Sequence, residues 1–257
     1  MEKITANSLL KTKLAAGQKL TGCAIQSPTP AFAEICGLAG FDFLFIDAEH
    51  GPLSEGDCLA MVTAAQLRGV ASLIRVPASR PEVILRYMDI GAAGVIVPGV
   101  SNAREAAAAV EAVKYYPLGR RGINATRASD YGLSLPMKDY IARSNEETIV
   151  FPILETAEAV EQAAAILAVP GIDGGIIGAG DLAQSLGYPG ETSHPAVRSA
   201  IDRLMAAGRQ TGKPMANVVR PGQRVQDYYG KGCQIVIVFA YSLFAAAAKA
   251  FVAEAQA

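Results

Sequence analysis

Two carboxylates stand where chemistry is most easily built. Glu155 ends the apolar run IVFPILE, and Asp181 ends the Gly-rich stretch GIDGGIIGAGD. Both runs are too apolar for surface strands, so the two acids should emerge at the same end of one parallel sheet, on strands ~4.8 Å apart. Two ionised carboxylates at that separation repel unless a cation or a proton lies between them. With His50 and His194 the only histidines, a metal there must rely on oxygen ligands, which favours a hard ion such as Mg²⁺ or Mn²⁺. The alternative gives each acid a structural task, Asp181 as a helix N-cap and Glu155 as half of an ion pair.

Three further groups follow apolar runs in the same way. FDFLFID leads into Ala48-Glu49-His50, and Asp47 lies three residues before His50, close enough to hold one ring nitrogen and leave the other as a base. Otherwise His50 is a histidine of a polar loop. Arg75 ends ASLIR, where an anionic substrate or a developing oxyanion would explain a guanidinium; a salt bridge to Glu49 or Asp47 is the plainer account. Gly178-Ala179-Gly180 would turn backbone amides towards a substrate carboxylate, or would simply permit a tight turn. His194, in SHP, reads as a surface or capping residue. Lys114, Lys138, Lys213 and Lys231 all fall away from strand carboxyl ends, so a Schiff-base nucleophile is missing. No GxSxG, P-loop or GxGxxG setting occurs.

The elements that must position these groups alternate. Strands are predicted at Leu20–Gln26, Phe43–Asp47, Ala71–Val76, Gly94–Pro98, Ile149–Glu155, Gly174–Gly178, Pro214–Val219 and Ile235–Phe239. Amphipathic segments at Ala31–Ala39, Glu55–Arg68, Pro81–Ile90, Ala103–Lys114, Ala157–Leu167, Ala196–Gln210, Pro221–Tyr229 and Leu243–Glu254 follow them, behind a leading helix at about 5 to 15. Eight strands with eight crossovers in 257 residues predict a single-domain α/β fold, the (β/α)₈ TIM barrel, with its active face at the strand carboxyl ends. One long irregular stretch, Tyr116 to Asn145, has the size of a functional loop. The Ala-rich last helix either packs on a neighbouring subunit or completes the outer ring.

Composition narrows the class. Lys+Arg 23 against Asp+Glu 24 gives a net charge of -1 without charge blocks, which argues against nucleic acid and anionic membrane. No apolar run reaches the ~18 residues of a membrane span and the N-terminus lacks a signal-like core, so a cytoplasmic protein is expected. Cys23, Cys36, Cys58 and Cys233 lack CxxC spacing and read as buried free thiols.

FDFLFIDAEHGPLS, IRVP, YYPLGRRGI, ILET and GIDGGIIGAGDLAQSLGYPG resemble the metal-dependent (class II) pyruvate aldolases typified by 4-hydroxy-2-oxoheptanedioate aldolase and 2-keto-3-deoxy sugar-acid aldolases, over about Gly22 to Gly232. The resemblance implies a barrel assembled as a homo-oligomer, usually a hexamer built from dimers. Glu155 and Asp181 would ligate Mg²⁺ or Mn²⁺, with Co²⁺ a further candidate, and the ion would chelate pyruvate. Arg75 would contact the keto oxygen, His50 would be the base, Asp47 its dyad partner, and Asp89 an acid near the aldehyde side. The implied reaction is reversible retro-aldol cleavage of a 4-hydroxy-2-oxo acid to pyruvate or hydroxypyruvate and an aldehyde. A metal-dependent citramalyl-CoA or malyl-CoA lyase and a non-catalytic 2-oxo-acid binder are the alternatives. The chain departs from the family pattern at Ile153, where many members carry Gln, at Gly180, and at Phe239–Ser242.

Overall fold

Hydrophobic strands flanked by helices leave a parallel sheet few ways to hide its edges, and here the sheet closes on itself. A computed structural model describes residues 5–256. Its parallel strands are β1 (Leu20–Ile25), β2 (Phe43–Asp47), β3 (Ala71–Arg75), β4 (Gly94–Val97), β5 (Ile149–Leu154), β6 (Gly175–Ile177), β7 (Met215–Val218) and β8 (Ile235–Phe239). They pair in sequence order, and β8 returns to β1 to complete the barrel.

Helices α1 (Ala6–Ala15), α2 (Pro30–Leu38), α3 (Glu55–Leu67), α4 (Pro81–Asp89) and α5 (Ala103–Val113) precede β5 in the positions predicted. After β5, α7 (Ala157–Leu167) and α9 (Pro195–Thr211) also match, while α10 (Val225–Gly230) starts four residues later and α11 (Ala240–Ala255) three residues earlier than predicted. Local chemistry explains where they start. Proline opens α2, α4 and α9, where its missing N–H costs nothing. The side chains of Ser54, Asn102 and Thr156 accept backbone N–H groups at the starts of α3, α5 and α7.

Two helices were not anticipated. Within the stretch read as irregular lie a 3₁₀ turn (Arg127–Gly132) and α6 (Met137–Glu147); α6 buries only Tyr140, so it lacks the apolar stripe that would announce it. This stretch joins α5 to β5 and therefore sits at the amino end of the barrel, away from the strand carboxyl ends. The second is α8 (Ala179–Ser185), absent from the predicted segments although a helix start was read at the Gly-rich turn.

Alternation along each strand divides the core in two. Leu44, Ile46, Ile74, Val95, Val97, Val150 and Leu154 point outward to the helices, while Phe43, Phe45, Leu73, Ile96, Ile149, Phe151, Ile153 and Ile176 fill the lumen. Leu10 and Leu14 of α1 join the lumen cluster and close its amino end. Small residues admit large neighbours: Gly22 makes room for the Phe43 ring, and Gly94 lies against the backbone of Ile149, its register partner. A Cβ at Gly94 would overlap the Ile149 carbonyl oxygen. Gly94→Ala should therefore lower stability by about 1–3 kcal/mol, read as a reduced urea midpoint.

Candidate active site

The same inward alternation that packs the lumen delivers the polar groups. Phe43, Phe45 and Asp47 lie on one face of β2, Leu73 and Arg75 on that of β3, and Ile149, Phe151, Ile153 and Glu155 on that of β5 and its first following residue. The apolar series thus ends in charge at the carboxyl ends of the strands. Asp47 and Arg75 are direct register partners.

Asp47 is fully buried and makes five polar contacts. Arg75 Nε donates to Oδ1 at 2.8 Å, and Arg75 Nη2 donates to Oδ2. Gln26 Nε2 donates at 2.6 Å, and the backbone amides of Glu49 and His50 donate at 3.2 and 3.1 Å. Burial alone would raise this carboxyl, but the Arg75 hydrogen bonds and charge, with the His50 amide and Gln26, outweigh it and hold it below the ordinary carboxylate range. The structure thus joins Asp47 to Arg75, the salt bridge weighed from the sequence, and its contact with His50 is to the backbone amide and not to the ring. The His50 ring is exposed, with Nε2 3.9 Å from Glu49 Oε2. Glu49 also lies 3.2 Å from Arg75 Nη1. Burial pushes the Glu49 carboxyl up, against the pull of Arg75 and His50. The sequence pointed to Glu49 only as a salt-bridge partner, although its place two residues beyond the inward Asp47 was the signal for more.

Glu155 is buried, and its Oε1 accepts the Gly99 amide at 2.7 Å. Burial raises its carboxyl; the Gly99 N–H opposes this, and the charges of Asp181 and Glu49 add to it. Asp181 stands in the first turn of α8 and does not cap it, since Gly178 is the N-cap residue and no side chain caps that end. Gly178 itself is required by close approach: a Cβ there would lie 2.5 Å from Glu155 Oε2. Its amide is taken by the Leu154 carbonyl at 3.2 Å, and the Leu182 amide is the first to bond back to Gly178, so the free first-turn amides of α8 are those of Ala179, Gly180 and Asp181.

His50, Arg75, Glu155, Gly178, Ala179 and Asp181 all line one cavity of about 1420 Å³, with Gln26, Phe45 and Ile153 beneath them. Ile153 is an apolar part of its floor, continuous with the lumen. Among the described residues no group of three or more His, Cys, Asp or Glu converges as a metal cluster. The donors are two carboxylates whose like charges raise one another's cost, a set that suits a hard cation completing its shell with water and substrate oxygens.

Asp89 is not brought to this cavity. It ends α4, and a barrel helix runs back against its strand, so its last residue lies at the strands' amino end. There Arg121 Nη2 donates to Asp89 Oδ1 at 2.7 Å, and the Arg121 guanidinium stacks on the Tyr115 ring with 4.9 Å to its centroid. His194 accepts the Ala196 amide at the start of α9, the capping role expected of it, and stacks on Tyr188.

Gly178→Ala should weaken Mg²⁺ binding at least tenfold by calorimetry without removing a carboxylate, because the new methyl displaces Glu155. Asp47→Asn should destabilise the fold by roughly 3 kcal/mol in urea titrations, since it leaves a buried guanidinium short of its partner. The Asp47 carboxyl is depressed in the folded state, so its contribution is present above its ordinary value of 3.8 and fades as pH falls through the lower folded value. The gap between wild type and variant should therefore persist down to pH 4 and narrow below it.

Known proteins resemble this chain in sequence and in fold. The profile of the HpcH/HpaI aldolase/citrate lyase family matches residues 20–245. A 5-keto-4-deoxy-D-glucarate aldolase of Klebsiella pneumoniae is 37% identical over 228 residues, 89% of this chain and 88% of the relative. Among solved structures, an HpcH/HpaI aldolase/citrate lyase family protein of Burkholderia cenocepacia superposes with a TM-score of 0.92 at 30% identity, covering 98% of this chain and all of that one. An HpcH/HpaI aldolase of Desulfitobacterium hafniense superposes with a TM-score of 0.88 at 27% identity, covering 96% of each chain. With a family match across nearly the whole barrel and a relative this similar over most of both chains, the protein belongs to the HpcH/HpaI aldolase/citrate lyase family.

Proposed function

We propose that this carbon–carbon lyase cleaves a 4-hydroxy-2-oxo acid to pyruvate, or hydroxypyruvate, and an aldehyde at the cavity over β2, β3, β5 and β6. The observation that carries the reading is the convergence of Glu155 and Asp181 with Arg75 and His50 on one cavity. The Klebsiella relative, named for an aldolase of a keto-deoxy sugar acid, supports the substrate class.

Glu155 and Asp181 would hold a divalent ion, Mg²⁺ or Mn²⁺. When bound, it supplies Lewis acidity at the 2-oxo group. The amides of Ala179 and Gly180 face the substrate carboxylate at the start of α8. His50, exposed at the cavity mouth, takes the proton of the 4-hydroxyl as the C4–O bond becomes a carbonyl and the C3–C4 bond breaks. The electron pair of that bond passes into the pyruvate enolate, and Arg75 supplies positive charge where the enolate oxygen forms. Asp47 acts by fixing Arg75: its two-point grip sets the guanidinium plane, and Gln26 and two backbone amides fix Asp47 in turn. The proton held by His50, passed on through water, then adds to C3 to give pyruvate and restores the neutral imidazole.

The assembly proposed is a homo-oligomer, with the hexamer implied by the family resemblance as its form. Helix α11 buries only Ala240 and leaves Tyr241, Phe244 and Phe251 exposed, an apolar side suited to a second copy of the chain. Among the described residues no helix is long and apolar enough to cross a membrane, and cytoplasmic residence is the setting proposed.

Proton exchange tests the reading. Pyruvate in D₂O with Mg²⁺ or Mn²⁺ should lose its methyl proton signal in NMR in the presence of the protein. Glu155→Ala and Asp181→Ala should each abolish exchange and metal binding, and Arg75→Lys, which keeps the charge but loses the fork, should slow exchange about 10²-fold. Full exchange in the presence of excess chelator would overturn the proposal.

A further inference from the structure

Three polar residues stand in one row across the top of the barrel. On β1, Leu20 and Ala24 face the lumen while Cys23 and Ile25 face the helices, so Gln26 continues the inward series one residue past the strand. Ile25 pairs with Ile46, and Asp47 with Arg75, which sets Gln26, Asp47 and Arg75 level on β1, β2 and β3. Gln26 Nε2 and Arg75 Nη2 both donate to Asp47 Oδ2, so the amide and the guanidinium lie within two hydrogen-bond lengths of each other. The loop that carries His50 packs on the same residue: a Cβ at Gly51 would come within 2.7 Å of the Gln26 carbonyl oxygen.

Asp47 uses only half of this amide. An ionised carboxylate accepts and cannot donate, so the Gln26 nitrogen must face Asp47 and Oε1 must face away. Among the described residues no donor reaches Oε1, and it is not one of the buried orphan atoms, which are Ser72 Oγ and Arg121 Nε and Nη1. Oε1 is therefore open, on a half-buried residue that lines the cavity. Phe45 and Ile153, which line the cavity with it, bring no polar side-chain atom. A fixed, neutral acceptor thus stands beside Arg75, over an apolar floor. In the proposed reaction Arg75 meets the oxygen on C2, and C3 is the next atom of the substrate. The C3 methyl of pyruvate has no use for an acceptor. A hydroxyl at C3 does, because over that floor it would otherwise give up its hydrogen bond with water.

We infer that Gln26 selects the donor half of the reaction: its Oε1 accepts the hydrogen bond of a C3 hydroxyl, so that hydroxypyruvate is preferred to pyruvate. This rests on the proposed aldol reading of the same cavity and narrows its substrates to 3,4-dihydroxy-2-oxo acids.

The test runs aldol addition to butanal with Mg²⁺ and either hydroxypyruvate or pyruvate. In the full chain carrying Gln26→Met, the ratio of kcat/KM for hydroxypyruvate to that for pyruvate should fall about tenfold from wild type. Loss of the Asp47 contact acts through Arg75 on the C2 oxygen that both donors share, so a purely structural role would lower both values and leave their ratio. Gln26→Lys keeps a donor for Asp47 but has no acceptor, and its ratio should fall as far. A ratio within about twofold of wild type in either folded variant would overturn the inference. Calorimetry on the Mg²⁺-loaded chain needs no turnover: wild type should bind hydroxypyruvate more tightly than pyruvate, and Gln26→Lys should lose about tenfold in affinity for hydroxypyruvate and less than about twofold for pyruvate. Equal losses for both, or tighter binding of pyruvate by wild type, also overturn it. A Gln26-dependent preference for hydroxypyruvate in a chain that makes no aldol product would instead put the failure with the aldol reading and leave the donor assignment standing.

Discussion

One buried ion pair sets the top of this barrel. Asp47 and Arg75 oppose each other in register on β2 and β3, Asp47 with no exposure and Arg75 with little, at the cavity wall. Two charges taken out of water cost more than their attraction returns unless every remaining donor and acceptor is used. Here Gln26, Glu49 and two backbone amides use them. The result is a guanidinium whose plane and position are determined by the sheet itself, beside a cavity where an anionic oxygen must be received.

Around that pair the charges are segregated. Burial is the largest reason that the Glu49 and Glu155 carboxyls are raised, and each lies within reach of the other acids: the charge of Asp181 adds to both, and that of Glu49 adds to Glu155. Such a cluster is unfavourable by itself, and a hard cation held between Glu155 and Asp181 would relieve it. The family to which the chain belongs is one of aldolases and lyases, and the arrangement has the parts that a carbon–carbon lyase needs: acids for an ion, a fixed guanidinium, and an exposed imidazole.

Much of this could be read from the residues. Strand positions follow from apolar runs bounded by Gly, Pro and Asn, and the eight-fold alternation with helices leaves a closed parallel barrel as the natural packing. Because side chains alternate along a strand, the acids and Arg75 at the ends of apolar runs had to face the same end of the lumen. Helix α6 was not readable, since its polar sequence buries a single tyrosine. For α8 the sequence suggested a helix start, with Asp181 as a possible cap, but not the helix's extent or that it begins at Ala179, ahead of Asp181.

What the sequence determined by itself was periodic: which runs are strands, which residues end them, and hence that Glu155, Asp181, Arg75, Asp47 and His50 gather at one face. What only the tertiary structure decided was partnership across strands and loops. Asp47 grips Arg75 instead of the His50 ring because register places the former pair side by side. Gly178 is small because Glu155 passes against it. Asp89 lies at the far end because α4 runs back antiparallel to its strand. Distances between residues far apart in sequence depend on closure of the whole barrel, and no local pattern encodes them.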